Sequence, residues 1–271
     1  MPAFVRESMN NIAIAQETLK IIKEKCYQVD GETILLPDMN FDEVKVYSPE
    51  RGEQLLKEKM EYSEKDCVVT ITTEDSYEAA ARYSDAMVMN FANAHKPGGG
   101  FLFGATAQEE ALCRCSTLYA SISDEAAKEM YRYNNKHMSR VESDYMLYSK
   151  VCVFRDNKGT LLKKPYVTGV ITVPAPNRIG AAMFASDREI ADAMLRRIRI
   201  MAAVAYENGC RNLILGAWGC GAFHNDPGKV ASYFKQVLME EGYGRMFDEV
   251  CFAIYGREDG KNITAFRKCF A

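Results

Sequence analysis

Only three histidines, His95, His137 and His224, occur among the 271 residues. The chain has no C-x-x-C pair to join them, so no metal centre and no cofactor are expected. Charge of one sign is also missing. Lys and Arg number 34 against 37 Asp and Glu, a net charge of −3 with no basic tail. That disfavours direct DNA binding through the phosphate backbone and leaves room only for a local phosphate site. No apolar run reaches about 18 residues, so no membrane-spanning helix is expected. The N-terminus has no secretory apolar segment. The nine cysteines are an odd number at scattered spacings, which suits reduced thiols in a cytoplasmic protein rather than a disulfide framework. Neither G-x-x-x-x-G-K-[ST] nor G-x-G-x-x-G occurs, which excludes the P-loop and the dinucleotide fingerprint. There is no Pro/Ser/Gly linker and no internal repeat. One domain over residues 1–271 is expected, with residues 1–62 as an accessory N-terminal layer.

What is present is ample apolar sequence, 48% of the chain, patterned in two periods. Helical spacing marks residues 3–27, 50–62, 108–119, 187–208 and 228–241, with Asp75 capping a further alanine-rich helix. Short β-branched or apolar runs mark strands at 33–36, 67–72, 86–91, 145–154, 166–173, 213–215 and 250–255. Residues 123–142 read as polar and partly helical. Strands alternating with helices predict an α/β domain of three layers, with ligands at the carboxyl ends of the strands.

Two glycine-rich loops follow strands. The first reads Asn90-Phe91-Ala92-Asn93, then Gly98-Gly99-Gly100, then Gln108-Glu109-Glu110 opening a helix. A glycine triplet lets backbone N–H groups approach a ligand, and a helix start favours an anion. Two carboxylates beside such a cradle fit acid–base chemistry on a sugar attached to a phosphate. Asn90 and Asn93 offer amides to ribose hydroxyls, or stabilise the turn. The second loop, Gly216-Ala217-Trp218-Gly219-Cys220-Gly221-Ala222-Phe223, would close on a diphosphate from the other side. Phe223 and Trp218 are each stacking or core residues. Cys220 near His224 is the alternative nucleophile.

The Asn-Phe-Ala-Asn segment, the triplet, the seven-residue spacing and Gln108-Glu109-Glu110 resemble the signature of the poly(ADP-ribose) glycohydrolases. Residues 112–119 and the loop from Gly216 to Phe223 are similar to the bacterial-type branch. The resemblance implies a macrodomain fold, a mixed sheet between helices with an N-terminal helical extension and ADP-ribose in a cleft. It implies hydrolysis of the ribose–ribose bond of poly(ADP-ribose) on modified proteins, with Glu110 as acid and then base. The neighbouring charge of Glu109 would keep a proton on Glu110. Glu109 would hold the ribose at the scissile bond and Asn93 a ribose hydroxyl. Gly98, Gly99 and Gly100 would approach the distal ribose and phosphate. Gly219, Cys220, Gly221 and Ala222 would wrap the diphosphate and Phe223 would pack on the ribose. Gln108 belongs to the same substrate-facing triad, and Glu74, by position, would accept from the adenine amino group. A hydrolase of mono-ADP-ribosyl groups would share the cradle. A non-catalytic reader would not need the two glutamates.

Overall fold

The computed structural model describes residues 3–137 and 140–271. Among them nine strands follow in chain order: β1 (Cys26–Val29), β2 (Glu32–Leu35), β3 (Lys45–Tyr47), β4 (Val68–Thr72), β5 (Ala86–Ala92), β6 (Met146–Arg155), β7 (Leu161–Pro174), β8 (Asn212–Leu215) and β9 (Glu249–Ala253). The main helices are α1 (Ala3–Glu24), α2 (Pro49–Leu55), α3 (Ser76–Ala80), α4 (Gln108–Cys115), α5 (Leu118–Ser123), α6 (Lys128–Lys136), α7 (Asp187–Glu207), α8 (Pro227–Lys235) and α9 (Lys261–Phe270).

The apolar run in β5 is continuous because both of its faces are covered. Successive residues point to opposite faces. Met87 and Met89 enter one core with Leu213, Leu215, Val250 and Phe252, while Ala86 and Val88 enter the other with Ile214 and Cys251. The first core is closed by α2, α7, α8 and α9, and the second by α3, α4, α5 and α6. The seven-stranded sheet between them runs β3-β6-β7-β5-β8-β9-β4. Pairing is antiparallel from β3 to β7 and parallel from β7 to β4. This is the expected mixed sheet between helical layers. The longest helix apart from α1, α7, starts at a capping box in which Ser186 and Glu189 satisfy each other's backbone N–H groups. Asp75 caps α3, accepting from the Tyr77 and Glu78 N–H groups.

Several boundaries differ from the sequence reading, each for a local reason. The first helix stops at Glu24, where Lys25 takes a left-handed φ of 54°, and Cys26 opens a hairpin with β2. The helix expected over 50–62 ends at Leu55. The helix expected over 108–119 breaks at Ser116, which is extended and bridges to Val153. Within the expected N-terminal layer, β3 joins the central sheet as an edge strand. α1 packs over α4, where the Thr18 hydroxyl donates to the Arg114 carbonyl at 2.7 Å. Of the segment 123–142, residues 138 and 139 lie outside the described residues, and 128–136 are helical. No described helix is long and apolar enough to cross a membrane.

Candidate active site

The parallel strands β5, β8 and β9 end side by side, and their loops diverge to leave a cleft of about 700 Å³. Phe91 and Asn93 from the end of β5 line it, with Gln108, Glu109 and Glu110 from the first turn of α4. Gly219, Gly221, Ala222 and Phe223 line it from the loop after β8. Placing two acids in the first turn of α4 suits the helix dipole, and Ala107 at the cap supplies no side-chain acceptor of its own.

Each member of the Gln-Glu-Glu triad has a separate task. Gln108 fastens the helix to the strand. Its carbonyl accepts from the Phe91 N–H at 2.9 Å and its amide donates to the Met89 carbonyl at 2.8 Å and the Ser76 hydroxyl at 3.1 Å. Glu109, 3% exposed, accepts from the Asn93 N–H at 2.8 Å and the Asn90 amide at 3.3 Å. Glu110, 8% exposed, accepts from the Gly100 N–H at 2.8 Å through Oε1. Its Oε2 is buried with no protein partner among the described residues. A buried carboxylate oxygen without a partner costs stability unless it is protonated or meets a ligand.

Burial pushes the Glu109 carboxyl from an ordinary 4.5 up to about 8. The Asn93, Asn90 and Gly98 donors favour its charged form, and the Glu110 charge adds to the rise. Burial thus favours the neutral form of Glu109, against the expectation of a standing charge on that residue. A carboxyl raised by folding stabilises the folded state fully below its unfolded value, and that contribution is lost as pH rises through 8. Glu109→Gln is therefore expected to unfold at a higher temperature than the parent at pH 8 and at a similar one at pH 5. Thermal unfolding at the two pH values checks this, and an equal shift at both would contradict it.

The glycine triplet lies against the acids. Gly99 N–H donates to the Lys96 carbonyl and Gly100 N–H to Glu110. Of the three N–H groups expected to face the ribose and phosphate, those of Gly99 and Gly100 are thus engaged within the protein. A Cβ on Gly99, whose φ is +52°, would lie 2.5 Å from Glu110 Oε1 and 3.4 Å from Glu109 Oε2. Two further expectations are corrected. Asn90 is fully buried, and its amide donates to Glu109 and Thr172 instead of facing a ribose. Glu74 is absent from the cleft lining, and its carboxylate is held by Arg82.

The second loop is pinned from below. Asn225 donates to the Pro176 and Gly219 carbonyls and accepts from Arg178, whose own N–H donates to the Phe223 carbonyl. Gly219, at φ +70°, is required because a Cβ there would sit 2.6 Å from the Asn225 amide. Above the loop, Gly221 faces open space. Trp218 is a core residue, donating to the Val173 carbonyl at 3.0 Å. The Cys220 thiol is outside the cleft lining, directed at the Trp218 carbonyl, and burial raises it to about 12. That is the opposite of an activated nucleophile. Sequence reasoning missed Tyr255 and Asn262, which line the cleft from beyond β9. An exposed aromatic just past the last parallel strand is the signal for the first. The second lies on α9, which was not anticipated. Among the described residues no group of His, Cys, Asp and Glu side chains is arranged to hold a metal ion.

Residues 15–156 match the family model of the microbial-type PARG catalytic domain. No curated protein matches the chain. Among solved structures, poly(ADP-ribose) glycohydrolase (PARG) from Thermomonospora curvata is 35% identical, with a TM-score of 0.89 over 97% of this chain and 100% of that one. The same enzyme bound to the inhibitor ADP-HPD matches at 35% identity and TM-score 0.87, over 96% and 99% of the two chains. PARG from Deinococcus radiodurans in complex with ADP-ribose is 36% identical at TM-score 0.77, over 84% of this chain and 94% of that one. With the family match spanning both the glycine turn and the triad, and with the whole fold shared at this level of identity, the chain belongs to the microbial-type poly(ADP-ribose) glycohydrolases.

Proposed function

We propose that this protein hydrolyses the O-glycosidic ribose–ribose bond of poly(ADP-ribose) on modified proteins and releases ADP-ribose, with Glu110 as acid and then base on a macrodomain-type fold. The observation that carries this is the state of Glu110. One oxygen is fixed by the Gly100 N–H and the other is buried without a protein partner, on a residue that lines the cleft. ADP-ribose and ADP-HPD bound to the Deinococcus and Thermomonospora proteins support the choice of ligand.

The chemistry follows from one carboxyl used twice. Glu110 in its acid form gives its proton to the glycosidic oxygen as the bond from that oxygen to the anomeric carbon breaks. The leaving hydroxyl departs and the ribosyl carbon becomes oxocarbenium-like. Glu110, now a carboxylate, takes a proton from water while the water oxygen bonds to that carbon. One water is consumed and Glu110 regains its starting proton. Glu109, fixed by Asn90 and Asn93, holds the ribose next to the bond. Phe223 packs on the ribose, and the backbone of Gly219, Cys220, Gly221 and Ala222 embraces the diphosphate.

Chromatography of the products separates the possible substrates. Polymer from an automodified acceptor is expected to yield free ADP-ribose with turnover. Release from a mono-ADP-ribosylated protein alone, with polymer left intact, would overturn the polymer reading.

A further inference from the structure

If the scissile bond joins two ADP-ribose units, the departing side is itself an adenosine with a diphosphate. The turn over residues 96–103 has an inner and an outer surface. On the inside, Gly100 N–H holds Glu110. Gly99 N–H donates to the Lys96 carbonyl at 3.0 Å and Phe103 N–H to the Gly100 carbonyl at 2.9 Å, so Lys96 and Phe103 bracket the triplet. Phe101 in this turn is buried, yet Phe103 is 67% exposed. The Lys96 ammonium stands 4.2 Å from the centre of the Phe103 ring. Gly104 closes the turn in the left-handed region at φ 77°. An exposed ring beside a cation matches a base and its phosphates.

The turn also has a fixed neighbour. His95 and Asn135 of α6 share two contacts of 3.0 Å, ring to side chain and amide to carbonyl. Beside Asn135, α6 carries a shallow groove of about 480 Å³ lined by Arg132, Tyr133, Lys136 and Tyr145 together with two glutamates. The groove thus adds aromatic and basic side chains near the turn, its Arg132 paired with Glu125.

We propose that Phe103 and Lys96 form a subsite for the leaving ADP-ribose unit, its adenine stacking on Phe103 and its diphosphate meeting Lys96, with the polymer leading on towards α6. This rests on the glycohydrolase reading above. The subsite selects a nucleotide leaving group over a peptide.

The experiment compares two substrates: poly(ADP-ribose), and ADP-ribose carrying a 4-nitrophenyl group at the distal anomeric carbon. Phe103→Ala is expected to lower kcat/KM on polymer about tenfold, the size of one base–aromatic stack. Its kcat/KM on the nitrophenyl conjugate and its ADP-ribose affinity are expected to stay within about twofold, scatter that surface changes commonly give. Phe103→Tyr is expected to restore the polymer rate. Lys96→Ala is expected to cost about threefold on polymer at low salt, and less as salt rises. Equal losses on both substrates, no loss on polymer, or a larger loss on mono-ADP-ribosylated protein would each overturn the subsite. A parent inactive on both substrates would instead contradict the glycohydrolase reading itself.

Discussion

Glu110→Gln is expected to lower kcat on poly(ADP-ribose) by about a thousandfold while leaving ADP-ribose affinity within about threefold. Glutamine keeps a carbonyl oxygen to accept from the Gly100 N–H, so the turn that holds residue 110 stays in place. Its amide can neither protonate a departing hydroxyl nor take a proton from water. The loss therefore falls on kcat and spares ground-state binding. Steady-state kinetics on polymer together with equilibrium binding of ADP-ribose separate the two. A variant that turns over polymer within about tenfold of the parent would remove Glu110 from the chemistry.

The second large effect is at Gly99, a residue that touches the carboxylates without any functional group of its own. Alanine there brings a methyl group to 2.5 Å from Glu110 Oε1 and 3.4 Å from Glu109 Oε2. The carboxylate has to leave the Gly100 N–H. A displacement of about 1 Å in a catalytic group costs about a hundredfold in rate. The backbone adds about 1–2 kcal/mol of destabilisation, because residue 99 sits at φ +52°. Gly209 separates these causes. It has φ +71°, and a methyl group added there would meet nothing within 4 Å, so Gly209→Ala carries the backbone cost alone. Both variants are expected to melt lower than the parent, and only Gly99→Ala is expected to lose kcat. Equal kcat values for the two would show that the triplet does not position Glu110.

Much of this was legible in the residues, and what was hidden had physical causes. The apolar run of β5, the period of α7 and the Asp75 cap are local signals, and each appears where expected. The strand β3 is three residues long, too short for alternation to register. The terminal helix α9 begins at Gly260 with no side-chain cap, so it lacks a start signal. The break at Ser116 follows from a bridge to Val153 on a distant strand, which no local period reports. At the site, the spacing of triplet and triad identified the residues but not their partners. Gly100 bonds a side chain ten positions later, and Asn90 faces inward because both sides of β5 are covered. Glycines near acids read as a phosphate cradle from composition. In three dimensions Gly100 of the first loop also holds an acid, and Gly221 in the loop after β8 faces open space.

The most direct measurement is a calorimetric titration of the protein with ADP-ribose. Saturable binding at a single site is expected, retained by Glu110→Gln and weakened by Phe223→Ala, because Phe223 lines the cleft and the role proposed for Glu110 is on the bond and not in binding. Absence of binding to the parent would contradict the placement of ADP-ribose in this cleft, and with it the role given to Glu110.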